Sequence, residues 1–181
     1  MKTSAPAWPI VANAVGYQVV WFACVSGAAA GLAWPGLLAF CLFATAILGF
    51  GGKRAADLRA LMIVVPIGFL LDSAFALSGW LHYSQQWPIA GAPLWIGAIW
   101  AAFALTLNHS LRFLAGRPWL AAILGAIGGP CAYAAARALG AVVFAVPDAV
   151  ALSVLSVSWA IVLPATVEFN RRTRLHQQAL A

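Results

Sequence analysis

Polar residues in this chain punctuate long apolar runs, and the lengths of those runs predict its elements. About 20 apolar residues, rising 1.5 Å each, cross a hydrocarbon core of ~30 Å. Six such runs can be placed, at about residues 9–30, 36–52, 60–80, 93–114, 118–140 and 149–168. Trp34-Pro35-Gly36 and Gly51-Gly52 are turn signals at the edges of the second. Pro118 suits the first turn of the fifth, and Pro164 is a site for a kink near the end of the sixth. The pattern predicts an all-α fold, a bundle of six transmembrane helices forming one domain over residues 1–181, with a basic tail over 169–181. The longest gap, Leu81 to Ala92, is too short for a domain outside the bilayer.

Composition supports this reading. The chain is 64% hydrophobic and 8% charged, whereas soluble domains carry roughly 25% charged residues. The first run is long and carries Asn13, Tyr17 and Gln18. Signal-peptide cores are short and plainly apolar, so an uncleaved helix is expected despite Ala28-Ala29-Ala30.

The basic residues divide unevenly among the gaps. Lys2 precedes the first run, Lys53, Arg54 and Arg59 follow the second, and Arg112 and Arg117 flank the connection after the fourth. Arg171, Arg172 and Arg174 follow the sixth. These are alternate gaps, and the gaps around Trp34, His82–Trp87 and Pro147-Asp148 have no Lys or Arg. The positive-inside rule then predicts a multi-pass protein with both termini cytoplasmic. Trp34, Trp80, Trp87 and Trp95 would form an outer aromatic belt, and Trp8 and Trp119 an inner one. A net charge of +6 spread this way suits topology and argues against nucleic acid. Cys24, Cys41 and Cys131 lie in apolar runs without metal-site or disulfide spacing and read as small buried hydrophobes. No metal site, cofactor motif, P-loop or nucleophile elbow is found, so the expected partners are membrane lipids and, on one reading below, a membrane-associated enzyme.

Polar groups inside the runs are the candidate site residues. A charge at a helix centre costs roughly 2.5–3.5 kcal/mol, so it needs a partner or a function. Asp72 precedes Trp80 by eight residues, about 12 Å below the outer interface. Arg137 is a candidate cation for it if the fifth helix breaks at Gly128-Gly129-Pro130. In a straight helix Arg137 would instead reach the outer headgroups. With His82, Tyr83 and Asp148 these residues define a candidate outer-side polar pocket. A candidate inner-side cluster comprises Asn13, Thr106, Asn108, His109, Ser110 and Arg112. On a continuous fourth helix, Asn108 and Arg112 share a face, as do Thr106 and Ser110. This cluster could hold a phosphate or carboxylate headgroup, or simply fasten helices to one another. The pairs Gly27/Gly31 and Gly125/Gly129 have GxxxG spacing and read as packing within the chain.

Asn13–Trp21 (NAVGYQVVW), Pro93–Trp100 (PLWIGAIW) and Leu107–Leu111 (LNHSL) resemble a bacterial integral membrane family catalogued as domain of unknown function 2878. The likeness covers almost the whole chain. It implies a small bacterial inner-membrane protein. The resemblance also implies genes often encoded beside cyclopropane-fatty-acid-synthase-like and flavoprotein genes, and with them a link to fatty-acyl modification. No catalytic residue is carried over from it. Three functions fit: binding or acting on a lipid or lipophilic substrate, serving as a non-catalytic membrane subunit of a partner enzyme, or proton-coupled transport through Asp72.

Overall fold

The computed structural model describes residues 7–84 and 91–180, the side chains of 176–180 aside. Lys2 and Trp87, assigned above to topology and to the aromatic belt, lie outside the described residues. Six α-helices occur among them: α1 (Trp8–Ala29), α2 (Trp34–Phe50), α3 (Arg54–Leu77), α4 (Leu94–Ala104), α5 (Pro118–Ala138) and α6 (Asp148–Leu180). Two short strands, β1 (Leu81–Tyr83) and β2 (Val142–Phe144), pair antiparallel. Helices α1, α3, α5 and α6 are long and apolar enough to cross a membrane. Their outward faces carry Val15, Phe22, Met62, Leu70, Ile127 and Ile161, each more than half exposed. So much contiguous apolar surface is covered by lipid and is not tolerated in water.

Helix α4 sits at the centre, packed by α1, α2 and α3, while α5 packs on α6 and α6 reaches α3. Trp95, Ile96, Ala98 and the stretch from Trp100 to Ala104 are all buried. A helix apolar on every side belongs inside a bundle. At 11 residues it is about 16 Å long, half a hydrocarbon core.

The chain between Leu105 and Leu111 then leaves the α-helix for a series of tight turns, ending in a short 3-10 turn at Arg112–Leu114. The fourth run is therefore not one helix over 93–114, and the shared faces expected for Asn108/Arg112 and Thr106/Ser110 do not exist. Irregular backbone at this depth survives only when protein surrounds it. Leu105, Thr106, Leu107 and Asn108 are indeed buried.

Helices α3 and α5 end alike. Trp80 N–H donates to Phe75 O and Ala141 N–H to Ala136 O, with Gly79 and Gly140 at φ +74° and +85°. This Schellman stop needs a residue that accepts positive φ. Each stop launches a strand, and the register pairs Leu81 with Phe144 and Tyr83 with Val142. The ribbon accounts for the ten apolar residues after Arg137, which on one long helix required a break at Pro130. Helix α5 instead runs through Gly128-Gly129-Pro130 and stops at Ala138. Trp95, expected in the aromatic belt, is buried and donates to Ser84 O. Of the cysteines, Cys24 is buried as expected, while Cys41 and Cys131 face outward.

Small residues set the α5–α6 seam. A Cβ on Gly125 would lie 2.2 Å from Trp159 O, and one on Gly129 would lie 2.3 Å from Trp159 Cγ. Gly128, one residue away on the other face, has nothing within 4 Å. Gly129→Ala should therefore cost about 1–3 kcal/mol by overpacking. Gly128→Ala should be neutral or stabilising by up to about 1 kcal/mol through helix propensity. Unfolding midpoints in detergent would check the pair, and equal effects would mean the seam opens freely.

Candidate functional site

Buried positions on α3 are Asp57, Ala60, Val64, Gly68, Asp72 and Phe75. Spacings of three and four place them on one stripe, so both acids of this helix face the protein. Each acid is the centre of a hydrogen-bonded node, one near each end of the bundle.

Asp72 is fully buried. Tyr83 OH donates to its Oδ1 at 2.6 Å, Trp100 Nε1 donates to Oδ2 at 2.6 Å, and Tyr133 OH also donates to Oδ1. Each donor arrives from a different element: β1, α4 and α5. Tyr83 points inward because Leu81 and Tyr83 lie on the buried side of the ribbon while His82 is exposed. Trp100 reaches Asp72 because Gly68, one turn earlier, has no side chain; a Cβ there would lie 1.8 Å from Trp100 Cδ2. Three donors and no cation meet this carboxylate among the described residues.

Arg137 is not its partner. It pairs with Asp148 and lies over the Phe144 ring at 5.0 Å from the centroid. The unbroken α5 carries Arg137 to the ribbon end, where it joins the last turn of α5 to the first turn of α6. A cation at a helix C-terminus and an anion at a helix N-terminus both suit the helix dipoles. The pair is about half exposed, 44% and 56%, and such pairs contribute ~0–1 kcal/mol. Arg137→Met should therefore change stability by less than about 1 kcal/mol in detergent unfolding; a larger loss would give the pair a structural role. Of the candidate outer pocket, the structure joins Asp72 with Tyr83 and, separately, Arg137 with Asp148. His82 joins neither.

The other acid organises the inner-side candidates. Asp57, also fully buried, accepts from Asn108 Nδ2 at 2.9 Å and contacts His109 Nε2 at 3.0 Å. Asn170 of α6 donates to Asn108 Oδ1 at 3.0 Å, and Lys53 Nζ donates to the Asn108 carbonyl. Asn13 of α1 closes the turn from its other side. Its Nδ2 donates to Leu105 O at 3.2 Å, and its Oδ1 accepts from Ser110 N and Ser110 Oγ at 3.1 and 2.6 Å. Thr106 Oγ1 donates to Phe103 O. Asn13, Thr106, Asn108, His109 and Ser110 thus spend these groups on holding the turn, and Arg112 alone is left exposed.

Between α1 and α5 lies an apolar cavity of about 730 Å³. Asp72, Trp100, Tyr133 and Trp159 form its wall near the ribbon end, and Ser110 and Phe113 line its opposite end. Ile10, Phe22, Phe113 and Leu124 line it and are 53%, 54%, 50% and 39% exposed. The mouth is therefore apolar and lies on the outward surface of the bundle. Trp159 stacks on Trp100 at 4.9 Å between centroids and 7° between planes. Its buried Nε1 makes no close hydrogen bond among the described residues; the Tyr133 hydroxyl is the polar group it acts on. A buried donor without a close acceptor costs up to about 1–3 kcal/mol, and in a cavity wall it is a place for a ligand acceptor.

Sequence reasoning missed Trp100, Tyr133, Asp57, Asn170 and Lys53. Two signals were available. The stripe on α3 runs back from Asp72 to Asp57, and a Tyr hydroxyl within an apolar run requires a partner. The chain has three tyrosines; Tyr83 and Tyr133 hold Asp72, and Tyr17 lines the cavity.

These features define a helical protein with four membrane-length helices, a lateral apolar groove and a buried carboxylate on its wall. A family profile described as protein of unknown function (DUF2878) matches residues 10–165. The chain belongs to that family. No curated protein and no solved structure matches it.

Proposed function

We propose that this is a bacterial inner-membrane protein that draws a lipophilic molecule from the bilayer into the groove between α1 and α5. The polar end of that molecule is held at Asp72. The observation that carries the reading is a single fixed carboxylate in the wall of a mostly apolar cavity whose exposed rim is apolar. From Ile10 to Val25 on α1 the groove extends about 22 Å, a length suited to an acyl chain. A carboxylate has about four acceptor positions. Two on Oδ1 and one on Oδ2 are engaged, leaving Oδ2 one more. A hydroxyl in the groove could donate to Oδ2 and accept from Trp159 Nε1. A head group that bears a donor fits this remaining acceptor position. An acyl lipid of this kind agrees with a link to fatty-acyl modification. The reading is of binding, and no reaction is assigned to the groove.

The topology proposed is six crossings with both termini cytoplasmic. Its support is that Asn13, Lys53, Asn108 and Asn170 are joined through side chains at one end, while β1 and β2 pair at the other. Helix α2, α4 and the turn after α4 supply the shorter crossings. The Lys and Arg of the first-named end make it the cytoplasmic one.

Gly128 lines the groove with open space at its Cβ, so Gly128→Leu should fill the groove without disturbing the seam. Mass spectrometry of protein purified in native lipid should find a lipophile retained by the wild type and lost at least tenfold in the variant, with the unfolding midpoint unchanged. Equal retention by both proteins would sink the groove reading.

A further inference from the structure

A second pocket, of about 610 Å³, opens at the end of the bundle where α3 begins. Lys53, Arg54, Arg59, Arg112 and Arg174 line it, brought together from the α2–α3 connection, α3, the turn after α4, and α6. The chain has four acidic side chains, and each is placed. Asp57 is buried against Asn108 and His109, and Asp72 against its three donors. Asp148 pairs with Arg137 at the far end, and Glu168 with Arg171 and Arg172. Of the four, Asp57 acts on Lys53 from its buried place, and positive charge remains in excess around the pocket.

Three further features point the same way. The first turn of α3 faces this pocket through Arg54, Ala55 and Ala56, and no side chain caps that helix. The positive end of its dipole, offset in part by Asp57 in the same turn, adds to the cations. Burial, and then the neighbouring Arg112, hold the Lys53 amine below its ordinary pKa against the opposing effect of Asp57, a sign of crowded cations. The floor is also preorganised. Asn108, which lines the pocket, is fixed by Asp57 and Asn170, and its carbonyl takes the Lys53 ammonium. Topology alone asks only that basic residues lie on this side; it does not ask that five of them surround one cavity.

We propose that this pocket binds a phosphoryl group, that of a net-anionic lipid headgroup or of a soluble phosphate. Arginine's planar fork matches phosphate oxygens two at a time, which a point charge does not. Exposed apolar residues at this end favour the lipid source: Leu175, which lines the pocket, is 47% exposed, and Phe50, two residues before the lining Gly52, is 89% exposed. The site is independent of the groove beside Asp72.

The test uses the full chain in nanodiscs of zwitterionic phospholipid, with or without phosphatidylglycerol, and inorganic pyrophosphate as the soluble probe. Native mass spectrometry after release into detergent, together with unfolding midpoints, gives the readouts. We expect the wild type to retain phosphatidylglycerol at least tenfold over the zwitterionic lipid. The double variant Arg59→Gln/Arg112→Gln should lose that preference, and Arg174→Gln alone should weaken it should the double variant not fold. Arg117→Gln, a cation on the same face but outside the pocket, should leave it intact. Stabilisation by millimolar pyrophosphate that the pocket variants abolish would identify a soluble phosphate as the source. Lipid retention indifferent to pyrophosphate would identify the headgroup. The proposal is overturned if neither probe depends on the pocket arginines, or if Arg117→Gln lowers retention as much as they do.

Discussion

Asp72→Ala should lower the unfolding free energy by about 3 kcal/mol or more, since it strands three buried donors at about 1–3 kcal/mol each. Tyr83, Trp100 and Tyr133 come from three elements, so the loss loosens the ribbon, α4 and α5 together. Graded variants separate this from a simple cavity effect. In Asp72→Asn the amide oxygen can still serve the two tyrosines, but its NH₂ then meets Trp100 N–H donor to donor, costing about 1–3 kcal/mol. Tyr133→Phe removes one bond to the carboxylate, worth about 1.5–3 kcal/mol. Equilibrium unfolding in mixed detergents would read the series. Should Asp72→Ala prove no worse than Tyr133→Phe, the donors must find other partners and the node does not hold the fold.

The second large effect is expected at the opposite end of α3. Asp57→Ala removes the acceptor for Asn108 Nδ2 and the contact to His109, for a loss of about 2–5 kcal/mol. The damage should be local first. Residues 105–111 have no helical ladder and depend on side chains from α1, α3 and α6 to close their turns. Hydrogen exchange should therefore accelerate there by at least tenfold while α5 remains protected. Uniform acceleration along the chain would show that the turn is not a separately stabilised unit. Because Asn108 also forms the floor of the basic pocket, the same variant should weaken phosphatidylglycerol retention.

Much of the fold was legible in the runs of apolar residues, since crossing a bilayer imposes a length and a composition on each segment separately. The edges of α1, α2 and α5 fall within a residue or two of the expected ones, and Pro9, Pro35 and Pro118 stand at their first turns. The fourth run misled because composition records only that a segment is buried. Residues 93–114 are apolar whether they form one long helix or a short helix and a buried turn. Nothing within that run stops the helix at Ala104; Asn13, Asp57 and Asn170, distant in sequence, satisfy the backbone and side chains of the turn.

Arg137 shows the same division. Its depth depended on whether α5 bends at Pro130, and the excess length that suggested a bend was taken up by Gly140 and the ribbon. Residue type sufficed to mark Asp72 as costly, but Asp57 was missed, because it precedes the third run as bounded at residue 60 whereas α3 begins at Arg54. The identity of the partners of Asp72 could not follow from residue type, since Tyr83, Trp100 and Tyr133 are 11, 28 and 61 residues away. By itself the sequence determined that the chain is helical and of membrane length, and where its charges must not be left unpaired, because these follow from local hydropathy and spacing. Only the tertiary structure decided which groups meet those charges and where cavities remain, because hydrogen-bond partners and voids arise from contacts between segments that no local pattern encodes.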